Sequence, residues 1–138
     1  MTFLARLQAL LSNGTPGFTA LESRILRETM ALLDPIARGN LQRRIDQINL
    51  VQRLGGGEEV NSYQMRKGKV IVDTSTALRC ESGESVLSTV TITSESGLHI
   101  RGKLVLVDGG FFSMEFDKPT EQLSDLKPES LAVSVQLS

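Results

Sequence analysis

The spacing of apolar residues changes from a helical period in the first third of the chain to a period of two in the rest. Apolar residues in 1–11 and 19–33 recur every three or four positions, as on one face of a helix. From residue 60 onward, apolar and polar residues alternate as in strands with one buried face. Helices followed by strands indicate an α+β fold with an antiparallel sheet. We predict a single domain, residues 1–138, with about three N-terminal helices (about 1–54) packed on a meander of five to six strands (about 60–138).

The helix boundaries are marked by capping residues. Thr19 and Glu22 have the spacing of a capping box, in which each side chain bonds to the other residue's backbone N–H. Asp34 is suited to cap the next helix, with Pro35 in its first turn. We expect that helix to run to Leu54 and to end at the three glycines that follow. The first helix is expected to dock on the body through Phe3, Leu4, Leu7, Leu10 and Leu11, with binding to a partner or a membrane surface as alternatives.

Cross-strand chemistry predicts the register of the hairpin around residues 108–110. With a three-residue turn, Leu104 faces Met114 and Lys103 faces Glu115, so that an apolar pair and a pair of opposite charges both match. We therefore predict a three-residue turn whose last glycine is left-handed.

The same reasoning places a turn at residues 95–97, which pairs Val90 with Gly102. Gly102 then lies between Val90 and Phe116, whose ring can cover the missing side chain. Other turns are predicted at 67–68 and 81–83, and the last strand, 130–137, follows a long connection at 117–129.

Charge is unevenly distributed although the net charge is only −1. Residues 38–69 hold seven basic and three acidic residues, whereas residues 70–138 hold five basic and ten acidic residues. A solvated helix face explains most of the basic group, and a nucleic-acid contact is the weaker alternative because no recognition motif is present. The basic residues are Arg38, Arg43, Arg44, Arg53, Arg66, Lys67 and Lys69.

Residues capable of catalysis or metal binding are scarce. The single cysteine, Cys80, cannot form an internal disulfide, which favours a reducing, cytoplasmic environment. We predict Cys80 on the core side and the single histidine, His99, exposed on a strand, so the two form no dyad or zinc site. The glycines at 55–57 precede two glutamates and are unsuited to phosphate. We expect no catalytic residue, metal or cofactor, and no membrane-spanning segment.

The predicted register groups four apolar residues on the outer face of the sheet. An exposed group of this kind is typical of a surface for a protein partner or a homodimer. The alternative is that a helix or the 117–129 connection covers the group. The candidate partner-binding residues are Leu87, Val105, Val107 and Phe111.

Three functional hypotheses follow. The first is a non-enzymatic protein-binding module, such as an acidic inhibitor or immunity protein for a basic enzyme. The second is a small-molecule pocket, with or without catalysis, between the helices and the sheet, lined by Asn61, Tyr63 and Thr76. The third is the nucleic-acid contact through residues 38–69. We favour them in that order.

Overall fold

The computed structural model describes residues 14–138, in which two α-helices pack on one face of an antiparallel sheet. The α+β class with an antiparallel sheet is confirmed, but the element count differs from the prediction: the described residues form two helices and eight strands. The predicted helix in residues 1–11 lies outside the described residues. Neither described helix is long and apolar enough to cross a membrane. The elements are β1 (Gly14–Thr15), α1 (Ala20–Leu32), α2 (Pro35–Gln47), β2 (Leu50–Leu54), β3 (Glu59–Arg66), β4 (Lys69–Ile71), β5 (Glu84–Thr93), β6 (His99–Val107), β7 (Gly110–Phe116) and β8 (Ala132–Leu137).

Both predicted helix starts are confirmed. Thr19 Oγ1 accepts from the N–H of Glu22, and the Glu22 carboxylate accepts from the N–H of Thr19. Asp34 accepts from two backbone N–H groups at the start of α2, with Pro35 as the first helical residue. These bonds satisfy donors that a helix start otherwise leaves unpaired.

The segment Leu50–Leu54, predicted as the last turns of a helix, forms β2 instead. Its first two residues are both buried, although neighbours on a strand point to opposite faces of the sheet. The Asn49 side chain bonds to both the N–H and the C=O of Met65, which aligns the chain beside β3. The glycines at 55–57 all have positive φ. They form the turn between β2 and β3 rather than the end of a helix.

The sheet is a meander only in part, since its order is β1-β2-β3-β7-β6-β5-β8. β3 pairs with β7 through residues 59–61 and with β4 through residues 64–66. Both partners lie on the same edge of β3, because β2 occupies the other edge. The sheet therefore splits at Ser62 and Tyr63, where β3 leaves β7 and joins β4.

The turn of the β6–β7 hairpin is shorter than the predicted one. The pairs far from the turn are as predicted, but the turn has two residues, Asp108 and Gly109, both with positive φ. Leu106 pairs with Phe111, and the extra residue, Phe112, is accommodated in a bulge. A two-residue turn matches the twist of the strands. The shift in register turns Phe111 toward the core, where it is buried.

The predicted hairpin at 81–83 is absent, and residues 72–83 instead connect β4 to β5 without a strand. The connection runs past the β6–β7 turn: Leu78 N donates to Gly109 O (2.8 Å), and Gly83 N donates to Asp108 Oδ1 (2.8 Å). Because these groups bond to a turn rather than to a strand, the alternation predicted for this segment does not hold. Cys80 is exposed rather than on the core side.

The predicted pairing of Gly102 with Val90 and Phe116 is confirmed. A Cβ at Gly102 would lie 2.4 Å from the Phe116 ring and 2.9 Å from the carbonyl oxygen of Glu115. The ring therefore fills the space that a side chain at residue 102 would need.

We expect Gly102→Ala to lower the free energy of unfolding by about 1–3 kcal/mol, because a rigid backbone atom and a buried ring must both move. Gly39→Ala is the matched control, since a Cβ at this position in α2 meets nothing within 4 Å. That substitution should raise the free energy of unfolding by about 0.5–1 kcal/mol through helix propensity. Urea unfolding of the three proteins measures both changes. A Gly102→Ala protein as stable as the wild type would contradict the packing described.

Candidate ligand-binding cleft

A cleft of about 280 Å³ opens where β3 leaves β7. The last turn of α2 closes one side, and β4 with the start of the 72–83 connection closes another. The β6–β7 turn forms the third wall. The volume of the cleft is just below the range of about 300–1,000 Å³ that is usual for small-molecule sites. We name it the Arg44 cleft, after the only basic residue among the described residues that line it.

Arg44 places its guanidinium inside the cleft. Its Nε donates to Thr76 Oγ1 (2.6 Å) and its Nη2 donates to Asp73 O (3.3 Å). A Cβ at Gly110 would lie 2.1 Å from Nη2, so the glycine allows the guanidinium to rest against the start of β7. Burial lowers the pKa of Arg44, and the negative charge of Asp73 partly offsets that effect.

Asp73 holds the start of the 72–83 connection against α2. Its carboxylate accepts from the hydroxyl and the N–H of Ser75 and from Gln47 Nε2. The bonds from the side chains of Ser75 and Gln47, followed by that from the Ser75 backbone, lower the pKa of Asp73 to about 2. Thr76 Oγ1 in turn donates to Asp73 O (2.8 Å), which completes the link from Asp73 to Arg44.

Two buried polar atoms near the cleft have no hydrogen-bond partner among residues 14–138. One is the hydroxyl of Ser62, a residue that lines the cleft at the split of the sheet. The other is Gln47 Oε1, one helical turn after Arg44. Buried polar groups are nearly always paired, and an unpaired one costs about 1–3 kcal/mol.

The rest of the cleft is apolar and partly aromatic. Tyr63 and Phe112 meet edge to face with ring centroids 5.5 Å apart. Burial, and secondarily the charge of Glu59, raise the pKa of Tyr63. The rim carries three exposed valines: Val70 is 51%, Val72 64% and Val107 37% exposed.

The predicted pocket residues are only partly brought together. Tyr63 lines the cleft. Thr76 is buried and does not line it, but its hydroxyl accepts a hydrogen bond from Arg44 Nε. Asn61 was predicted to line the pocket, but it is buried and does not line the cleft. Arg44 and Ser62 also line the cleft and were not among the predicted pocket residues.

The four residues predicted as an outer patch do not form an exposed surface. Leu87, Val105 and Phe111 are buried, and only Val107 is exposed, at the rim of the cleft. Leu87 lies at a bulge in β5, as Phe111 adjoins the bulge in β7, and both join the core. Each bulge reverses the alternation on which the outer-face prediction depended.

The basic residues of 38–69 are spread over several surfaces. Arg38 donates to carbonyls at the end of α1, Arg43 donates to Ser75, and Arg53 pairs with Glu22. Arg66, Lys67 and Lys69 are exposed at the β3–β4 turn. The nucleic-acid contact stays a prediction. His99 is exposed on β6, as predicted.

A larger cavity of about 630 Å³ lies between the start of α1, the β2–β3 turn and residues 120–131. The Glu22 carboxylate in its wall accepts from Thr19 N and from Nε and Nη2 of Arg53. The hydrogen bond to Glu22 raises the pKa of Arg53. Because these charges satisfy each other, the pair explains the local structure without a ligand.

Residues 14–138 hold no cluster of three or more His, Cys, Asp or Glu side chains arranged to bind a metal ion. Comparison of the chain with protein-family models, curated proteins and solved structures gave no match. The geometry of the cleft is therefore the basis for a functional proposal.

The low pKa of Asp73 predicts an acid-sensitive contribution to stability. A carboxyl group with a depressed pKa stabilises the fold above its ordinary value of 3.8, and this stabilisation is lost as the pH falls through about 2. We expect Asp73→Asn to be less stable than the wild type at neutral pH, with the difference shrinking between pH 3.8 and about 2. Unfolding by urea across this pH range measures the difference.

The control is Asp125→Asn, an exposed aspartate whose side chain accepts no hydrogen bond within residues 14–138. Its stability should follow that of the wild type at each pH. A difference between Asp73→Asn and the wild type that does not change with pH would contradict the assignment.

Proposed function

We propose that the protein is a non-enzymatic binding protein that holds a small molecule in the Arg44 cleft. The observation that carries the proposal is the buried hydroxyl of Ser62, which has no partner among residues 14–138 and belongs to a residue that lines the cleft. A bound polar group that pairs with this hydroxyl removes the cost of leaving it unpaired. Apolar walls with a few convergent polar groups are the usual composition of a small-molecule site.

The chemistry of the lining favours binding over catalysis. No histidine or cysteine is among the described residues that line the cleft. The Asp108 carboxylate accepts from the N–H of Gly83 and so holds the connection in place. His99 lies at the other end of β6 from the cleft residue Val107. A general base beside a nucleophile, the usual requirement for hydrolysis or group transfer, has no counterpart in this lining.

A fragment screen by ¹H–¹⁵N NMR tests this function. We expect hits to shift the amide resonances of Ser62, Phe112 and their neighbours. Ser62→Ala should leave stability unchanged or increase it, because its hydroxyl has no partner to lose, and should weaken the hits about three- to tenfold.

Ser85→Ala is the matched control, since the Ser85 hydroxyl is also buried and unpaired among the described residues but does not line the cleft. It should leave fragment binding unchanged. Hits that map elsewhere, or that weaken equally in both variants, would overturn the proposal.

Pairing with a second copy of the chain through the outer edge of β8, which no strand within residues 14–138 occupies, is the second candidate function. Ser138 N donates to Leu87 O, so the even-numbered residues of β8 bond to β5. The backbone groups of Val133, Val135 and Leu137 therefore point to the open edge. β8 carries no charge and no proline, whereas edge strands are commonly protected by both. Two such edges can pair around a two-fold axis through Val135, which places Val133 opposite Leu137.

Hydrogen exchange at increasing protein concentration tests this candidate. The amides of Val133, Val135 and Leu137 should gain protection as the dimer forms, whereas those of Ser134 and Gln136 are protected throughout by β5. Val135→Pro should remain folded and monomeric, because proline is tolerated where the N–H faces outward. A chain that stays monomeric, or a dimer with an unprotected Val135 amide, would contradict this pairing.

A further inference from the structure

The guanidinium of Arg44 lies in the cleft without a carboxylate to neutralise it directly. Arg44 forms no salt bridge within residues 14–138, although its Nε and Nη2 bond to Thr76 and to the backbone carbonyl of Asp73. The Asp73 carboxylate is engaged by Ser75 and Gln47, so Asp73 balances the charge of Arg44 only from a distance. Nη1 of Arg44 donates no hydrogen bond to any described residue.

We propose that the ligand of the Arg44 cleft is a small organic monoanion with one carboxylate group and an apolar body. This inference rests on the proposed function, since it names the ligand class of the same site. The carboxylate bonds to the donors of Arg44 that no described residue engages, beside Ser62 in the lining of the cleft. A guanidinium presents its donors in a planar fork that matches a carboxylate, and such charge-assisted bonds are roughly twice as strong as neutral ones.

The rest of the lining limits the charge of the ligand. Arg44 is the only cation among the described lining residues, and Asp108 adds a negative charge near the rim. A nucleotide or another polyanion needs several cations or a helix N-terminus for its phosphates, and the cleft meets the last turn of α2, not its start. A single negative charge is what one arginine can neutralise.

The apolar walls define the body of the ligand. Ile48, Phe111 and Phe112 line the cleft beside the Tyr63 ring. Burying apolar ligand surface against them stabilises the complex, because that surface is removed from water. The volume of about 280 Å³ restricts the body to a single ring or a short alkyl chain.

The experiment compares benzoate with benzyl alcohol, which keeps the ring but lacks the charge. Both are titrated into the full chain and followed by ¹H–¹⁵N NMR at the cleft resonances. We expect benzoate to bind at least tenfold more tightly than benzyl alcohol. Arg44→Gln should weaken benzoate about tenfold to a hundredfold and leave benzyl alcohol unchanged.

Arg27→Gln is the matched control: Arg27 lies on α1, is exposed, does not line the cleft and forms no salt bridge within residues 14–138. It should leave both affinities unchanged. Because Arg44→Gln also loses the bond to Thr76 and can unfold the wall, Arg44→Lys provides a second variant. Lysine keeps the positive charge but lacks the planar arrangement of N–H donors. We therefore expect an affinity for benzoate between those of the wild type and Arg44→Gln.

Four outcomes overturn the inference. If benzyl alcohol binds as tightly as benzoate, or if benzoate binding survives Arg44→Gln, the cleft does not select a carboxylate. If benzoate leaves the cleft resonances unmoved while neutral fragments shift them, the carboxylate inference fails and the proposed function stands. If neither benzoate nor any fragment shifts them, both proposals fail.

Discussion

One edge of a strand can hydrogen-bond to only one neighbour at each residue, and β3 divides one edge between two neighbours. Its first residues pair with β7 and its last residues with β4. Two neighbours that share an edge must diverge from each other, so a gap opens at Ser62 and Tyr63. The last turn of α2 and the start of the 72–83 connection border that gap, and the cleft is the space they leave.

The contacts that hold the 72–83 connection in place are also the contacts that prepare the cleft. Asp73 bonds to Gln47 on α2, and Thr76 bonds to Arg44 one helical turn earlier. At the far end, Asp108 holds Gly83 against the β6–β7 turn. The same bonds therefore stabilise a long connection and fix the guanidinium of Arg44. The core lies mainly between the helices and β5–β7, so these bonds act on the shape of the cleft more directly than on the core.

Local chemistry determined the parts of the fold that could be predicted from sequence. The capping residues Thr19 and Asp34 act within one helical turn, and the register around Gly102 follows from direct cross-strand pairs, so both could be inferred.

The bulges in β5 and β7 could not be predicted from the sequence. One extra residue leaves the alternation of apolar and polar residues intact, but it reverses the face of the sheet to which the following side chains point. β2 was mistaken for helix because Leu41, Ile45 and Ile48 continue a helical period up to its start. The pairing of β3 with β7 joins segments about fifty residues apart, for which the alternation carries no signal. For the cleft, Arg44 offered one signal, since it lies three residues after Leu41 at a spacing otherwise occupied by apolar residues.

The exposed thiol of Cys80 has a practical consequence. Cys80 is the only cysteine in the chain, so a thiol-reactive fluorophore attaches at one position without any mutation. It lies three residues after Ala77, which lines the cleft, in the connection that bonds to the β6–β7 turn. The molecule thus carries a natural attachment point for a spectroscopic reporter, and the emission of that reporter would follow movements of the cleft wall directly.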